Sequence, residues 1–187
     1  MSTEIEIPVL NARDRILSVA GPLFYREGYR AIGVDRVIAE ADVAKATFYR
    51  HFPSKDDLIV AWLNRAEGGM AAHMPANDTG AALTDFITQT MAIARRATCM
   101  GCTFQGSAAE FGPALHPVHQ AARAVKDRSL ADLEVRARAE GLTNPAEVAA
   151  EVFLVIEGLW ASTRMFGPDA PFVAAERAFS RILDAAR

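Results

Sequence analysis

Cysteine is scarce in this 187-residue chain: Cys99 and Cys102 are the only two. Two thiols do not make a disulfide scaffold, and the expected compartment is a reducing cytoplasm. Long apolar runs are missing as well. None approaches the roughly eighteen residues that a membrane helix needs, so no membrane partner is expected. The opening MSTEIEIPVL has neither a basic stretch nor an apolar one, and no secretory signal is expected there. There is no GxxxxGKS/T or GxGxxG phosphate loop, no nucleophile elbow, no paired-carboxylate pattern and no HExxH spacing. An enzyme is therefore not expected, nor is a cofactor. Alternating β-branched runs are lacking, and no Asn-Gly or Asp-Gly joins such runs, which leaves little room for strands.

What remains is a chain 51% apolar and 23% charged, the composition of a soluble globular protein. The net charge of −3 hides a split. Residues 11–55 carry eight Lys and Arg against five Asp and Glu, whereas residues 56–187 carry twelve against sixteen. A basic block on an acidic body points to an anionic partner at one end.

Helix punctuation is frequent. Asn11 caps a segment with Ile16, Leu17, Ala20, Leu23 and Phe24 on one face, and Gly28 closes it as a left-handed C-cap. Pro22 is expected to kink or split that segment. Short helices are expected at about 34–41 and 45–51. Ser54-x-x-Asp57 reads as a capping box opening a helix from Lys55 to about Met70. Asp78 is expected to cap a helix running to about Ala97. Pro117 starts a long helix ending at Gly141, Asn144-Pro145 with Glu147 opens the next, and Gly167-Pro168 closes it. The last helix follows Asp169 and Pro171. The expected fold is all-α, with about nine helices.

Residues 34–52, VDRVIAEADVAKATFYRHF, place two short helices around a tight turn, the second rich in Lys, Thr, Tyr, Arg and His. A helix-turn-helix needs an apolar first helix beneath a second helix that carries small, polar and cationic side chains. A polar surface helix in a bundle would read the same way on these residues alone.

The stretch RDRILSVAGPLFYREGYRAIGVDRVIAEADVAKATFYRHFPSKDDLIVAWL closely resembles the DNA-binding domain of the TetR family of bacterial transcription regulators. The resemblance covers about residues 11–65. It rests on LFYREGY, on the IAEADVAKATFYRHF core and on FPSKDDL. GCTFQGSAAEF is similar to a segment found in some members. Two departures stand out: Asp42 occupies a turn position usually held by Gly, and Ile32-Gly33 stands where Ser or Thr commonly caps. Asp tolerates the left-handed conformation and Gly caps adequately, so both features should survive.

The resemblance implies an N-terminal arm at 1–10, a helix-turn-helix domain at 11–54, and a ligand-binding and dimerisation domain at 55–187. It implies a regulator, most simply a repressor, that binds palindromic double-stranded operator DNA as a homodimer and is released by a small apolar or aromatic effector. DNA contacts are expected from Arg36, Lys45, Ala46, Thr47, Tyr49, Arg50, His51 and Lys55. Lys45, Tyr49, His51 and Lys55 suit phosphates, and Thr47, Arg36 and Arg50 suit base edges. Phe48 and Phe52 should pack inward against Leu23, Val37 and Val43. An effector cavity is expected among Trp62, Phe86, Met91, Phe104, Phe111 and Trp160, with Thr90, Glu110, His119 and Arg123 as polar anchors; core packing is the alternative for most of these. The expected dimer contact joins Val152, Ile156 and Leu159 on one helix to Ala174, Ala178, Phe179 and Ile182 on the next.

Cys99-x-x-Cys102 with His116-x-x-His119 imitates a zinc set. The gap of two between the histidines falls outside the usual three to five, so no metal is expected. His116 should cap a helix, and His119 should face solvent or a pocket. The alternative function is a thiol-based redox or electrophile sensor on the same fold, using Cys99 and Cys102.

Overall fold

The computed structural model describes residues 10–187, so most of the arm expected at 1–10 lies outside the described residues. Among them are nine α-helices, one 3-10 turn and no strand. The chain divides into two units, one ending at Asn64 and the other spanning Arg65–Arg187. The division falls inside a helix rather than at residue 54, because Leu58, Ile59 and Leu63 at the start of that helix are fully buried.

In the N-terminal unit, α1 (Ala12–Glu27) opens as its sequence predicts: the Asn11 side chain accepts from the Asp14 N–H at 2.9 Å. Helix α1 packs on both α2 (Val34–Glu40) and α3 (Lys45–His51). Pro22 does not split α1. Pro22 and Ser18, whose carbonyl loses its helical donor, are both exposed, so water replaces the missing bond. Buried Ala20, Leu23 and Phe24 on the other face hold the helix through tertiary packing. Gly28 also departs from expectation. Its φ is +93° but its ψ is 155°, so it leaves the helix extended rather than left-handed helical, still donating its N–H to the Phe24 carbonyl at 3.0 Å.

Helix α4 (Lys55–Ala71) starts with the reciprocal cap read from Ser54 and Asp57. The Asp57 N–H donates to Ser54 Oγ at 3.1 Å, and the Ser54 N–H donates to Asp57 Oδ2 at 3.0 Å.

In the C-terminal unit, α7 (Pro117–Ala139) and α8 (Pro145–Phe166) form the central pair. Against α7 lies α6 (Thr103–Glu110), against α8 lies α9 (Phe172–Ala186), and α5 (Ala82–Ala94) touches both central helices. Two expected caps are replaced. Asp78 does not cap α5, which begins at Ala82 without a local side-chain cap. Instead Glu140, just past the end of α7, accepts from the Leu83 and Thr84 N–H groups at 3.0 and 2.9 Å and from Thr84 Oγ1 at 2.6 Å. A carboxylate at a helix N-terminus satisfies orphan donors and complements the helix dipole wherever it comes from in sequence. Asn144 does not cap with its side chain either. The Thr143 N–H and hydroxyl both donate to the Ala186 carbonyl, and Asn144 turns left-handed (φ 48°, ψ 54°) to start α8.

Gly21 makes the closest approach in the N-terminal unit. A Cβ there would fall inside van der Waals contact of the Trp62 ring. Gly21→Ala is therefore expected to lower the unfolding free energy by about 1–3 kcal/mol through overpacking, despite the better helix propensity of Ala. Urea unfolding checks this; an unchanged or raised midpoint would show that the ring moves aside freely.

Candidate nucleic-acid interface and effector cavity

Helix α3 is anchored by its inner face. Phe48 and Phe52 are buried, their ring centroids 5.9 Å apart, and Arg13 lies over the Phe52 ring at 5.5 Å. Leu23 and Val37 are buried in the same unit and Val43 is half-buried. With residues 48 and 52 inward, Lys45, Ala46, Tyr49 and Arg50 are turned outward and are exposed, while Thr47 and His51 are half-buried. The turn before α3 runs through Asp42 at φ +49°, as read from the sequence. Arg15 Nη2 donates to the Asp42 carbonyl at 3.3 Å and steadies it. Gly33 stands at the N-cap of α2 with extended geometry.

The expected DNA contacts differ in how free they are. Arg50 has no hydrogen-bond or ion-pair partner among the described residues and extends into solvent. Lys45 reaches Asp35 only loosely, at 3.3 Å with both groups well exposed, a pair that a phosphate would displace readily. Lys55 Nζ donates to the Arg30 carbonyl at 3.2 Å. Arg36 is the most committed. It forks onto Glu27 at 2.6 and 2.9 Å and onto Glu40 at 2.7 Å. Those bonds hold the Glu27 carboxyl below its ordinary pKa and raise the Arg36 guanidinium further. Arg36 thus ties α1 to α2 and has fewer donors left for a base edge.

The C-terminal unit holds a cavity of about 430 Å³ among the end of α4, the 72–77 connection, α5, α6 and α7. Of the residues expected to line a pocket, Phe86 and Phe104 do so. Met91, Phe111 and Trp160 are buried elsewhere in that unit, and Arg123 is exposed beside Asp127. Glu110 is half-buried outside the cavity wall. Thr90 is buried with an unpartnered hydroxyl. Trp62 belongs to the N-terminal unit, where it covers Gly21. His116 caps α7 through the Val118 N–H, as expected, but His119 is engaged by the Phe111 carbonyl at 3.1 Å rather than free toward a pocket.

Sequence reasoning missed the charged wall. Arg136 and Asp132 pair at 2.7 Å, and Arg128 grips Glu67 at 2.6 and 2.7 Å, which raises the Arg128 guanidinium. A signal was available. Positions 118, 122, 125, 129, 132 and 136 follow one another at four- and three-residue steps along a single stripe of α7, apolar as Val118, Ala122 and Val125 and then polar as Ser129, Asp132 and Arg136.

The expected dimer residues also divide. Val152, Ile156, Leu159 and Phe179 are buried in their own protomer, Ala178 and Ile182 are half-buried and Ala174 is exposed. The large apolar side chains left outside on α8 and α9 are Leu154, Met165, Phe166 and Val173. Cys102 is buried and Cys99 is half-buried, and no disulfide joins them.

Residues 16–62 match the family model described as bacterial regulatory proteins, tetR family. Over 53 residues the chain is 43% identical to the transcriptional repressor KstR of Mycolicibacterium smegmatis, covering 28% of this chain and 26% of that protein. Over 59 residues it is 37% identical to the transcriptional activator FasR of the same organism, covering 32% and 27%. The matched stretch thus spans about a quarter of the length of these curated relatives. Along nearly the whole chain the fold superposes on a TetR-family transcriptional regulator from Streptomyces coelicolor, with a TM-score of 0.83, 29% identity, and coverage of 94% of this chain and 95% of that one. The helix-turn-helix sequence and the whole-chain fold agree: residues 16–62 form a DNA-binding domain of the TetR family of bacterial regulatory proteins, and the chain as a whole is similar in fold to a TetR-family regulator.

Proposed function

We propose that the chain is a DNA-binding transcriptional regulator that acts as a homodimeric repressor on a palindromic operator and is released by a small effector with a largely apolar body. The observation that carries this reading is α3. It is pinned by two buried phenylalanines and turns Lys45, Ala46, Tyr49 and Arg50 outward together. Small Ala46 permits close approach to base edges, Lys45 beside it suits a phosphate, and Arg50 suits a base edge. KstR, matched over the same domain, is named a repressor, and FasR an activator. The sign of regulation is read by deleting the gene and following transcription from the operator, which should rise.

The DNA reading is tested by selecting a random duplex library on the purified protein, which should enrich a palindrome. Lys45→Ala should weaken binding to selected and random duplex alike and reduce the salt slope by about one. Thr47→Ala should narrow the gap between the two by about tenfold, with the slope unchanged. Two variants indistinguishable from wild type on both duplexes would remove α3 from the interface.

The dimer reading is revised by burial. A charge at Phe179 would disrupt the protomer's own core, so the contact belongs to the outer faces of α8 and α9, where Leu154, Met165 and Val173 are exposed beside exposed Ala174. Pairing two helices from each protomer would bring these faces together in a four-helix contact. Leu154→Glu is expected to sediment as a monomer at micromolar concentration with its helix content unchanged. Wild type sedimenting as a monomer would refute the homodimer.

A further inference from the structure

We infer that the cavity of the C-terminal unit is built for an uncharged ligand with an apolar body and a carbonyl-type hydrogen-bond acceptor, which Arg136 receives. This rests on the proposed effector control and names the chemistry of the effector.

Arg136 is the deciding residue, because only 5% of it is exposed and its donors can be accounted for one by one. Nε donates to Asp132 Oδ2 at 2.7 Å. Nη1 faces the carbonyls of Pro75, Ala76 and Ala82 at 3.0, 3.2 and 3.4 Å. The guanidinium plane covers the Phe86 ring, 4.7 Å from its centroid. Nη2 has no hydrogen-bond partner among the described residues, and it belongs to a side chain that lines the cavity. Nη2 is not among the fully buried orphan atoms, so it is an accessible donor on the cavity wall, and an acceptor supplied by a ligand would give it a partner.

The charges on the wall decide what kind of acceptor. Two cations, Arg128 and Arg136, are each already neutralised by a carboxylate, Glu67 and Asp132. The acceptors are also engaged: both Glu67 oxygens by Arg128, and the two Asp132 oxygens by Arg136 and by Asn77 Nδ2 at 3.3 Å. The Ser129 hydroxyl donates to the Val125 carbonyl at 2.9 Å. A carboxylate ligand would leave water to meet two carboxylates and no spare cation. An ammonium ligand would meet two guanidinium groups and no spare anion. Neither would find an unpaired counter-ion on the wall, and receiving either would mean breaking one of the two existing pairs. A neutral carbonyl accepts from Nη2 and disturbs neither pair. The rest of the wall, Met70, Met74, Phe86, Phe104 and Val125, suits an apolar or aromatic body, and the two methionines adapt to its outline.

The test uses four probes sharing two phenyl rings: benzophenone, diphenylmethane, diphenylacetate and protonated benzhydrylamine. Equilibrium dialysis against the full chain should show benzophenone held about tenfold more tightly than each of the other three. Arg136→Lys keeps the charge beside Asp132 but lacks the second guanidinium nitrogen. It should lose about tenfold for benzophenone and leave diphenylmethane unchanged. Met74→Trp, at a half-buried position on the 72–77 connection, should fill the cavity and weaken benzophenone at least tenfold; this variant decides the question if Arg136→Lys fails to fold. Preference for the acid or the amine, equal binding of diphenylmethane and benzophenone, no binding of any probe, or an unaffected Met74→Trp would each overturn the inference. Palindrome binding by the ligand-free chain separates the two readings. A chain that binds its operator and no probe keeps the regulator reading and loses this one. A chain that binds benzophenone as stated and no DNA does the reverse.

Discussion

The burial of Phe48 and Phe52 is the constraint from which the N-terminal unit follows. Helix α3 has seven residues, far too few to be stable alone. It exists because two aromatic side chains four residues apart drop into the core beneath it. That choice narrows what the helix shows to the outside: once 48 and 52 point in, 46, 49 and 50 fall on other faces, and Lys45 is exposed at the open first turn. The supporting devices serve the same end. Asp42 makes the turn at positive φ, Arg15 holds its carbonyl, and Arg36 locks α2 to the end of α1 through Glu27. A rigid platform is what a helix that reads DNA requires, because positional precision is gained only if no entropy is left to lose on binding.

The C-terminal unit solves a different problem with the same rule, that buried polar groups must be satisfied. Near the end of α7 two charged side chains sit in the interior, and each is used as a connector. Glu140 reaches α5 and closes its open N-terminus, and Arg136 gathers three carbonyls from the 75–82 connection. A third polar junction, Lys126 with Glu157 and Gln105, ties α6, α7 and α8. Arg136 differs from the other two in having one nitrogen left over on a side chain that lines the cavity. Where a cavity wall leaves one donor open, the missing partner is best sought outside the chain.

Local rules made the helices legible and distant partners hid the exceptions. Asn11, Ser54 with Asp57, and His116 cap as read, because each cap and the N–H it serves lie within three residues. Glu140 serves Leu83 from 57 positions away, and no window along the sequence contains both. Pro22 misled because propensity was weighed without burial: the exposed face of α1 tolerates a lost bond that the buried face would not. The cavity was legible only at Phe86 and Phe104. Aromatic and aliphatic side chains announce an interior without saying which part of it is empty, and the charged wall had the composition of a surface. The polar continuation of the α7 stripe was the feature that distinguished the wall.

Helix α8 shows why periodicity alone did not separate core from contact face. Val152, Ile156 and Leu159 recur at four and three residues and are buried in the protomer. Leu154, Gly158, Ala161 and Met165 recur at the same intervals, offset by two residues, which is about 200° around the helix. They are all exposed, and a Cβ at Gly158 would meet nothing within 4 Å. A helix with two apolar stripes on opposite sides has one more than a single core can cover. The sequence offers both stripes equally, and only packing chooses which is inside. The stripe left outside has small residues at its centre, Gly158 and Ala161, between large ones at its ends. That profile lets a second helix approach closely at the middle while the ends interlock, which is the shape a symmetric partner copy would complement.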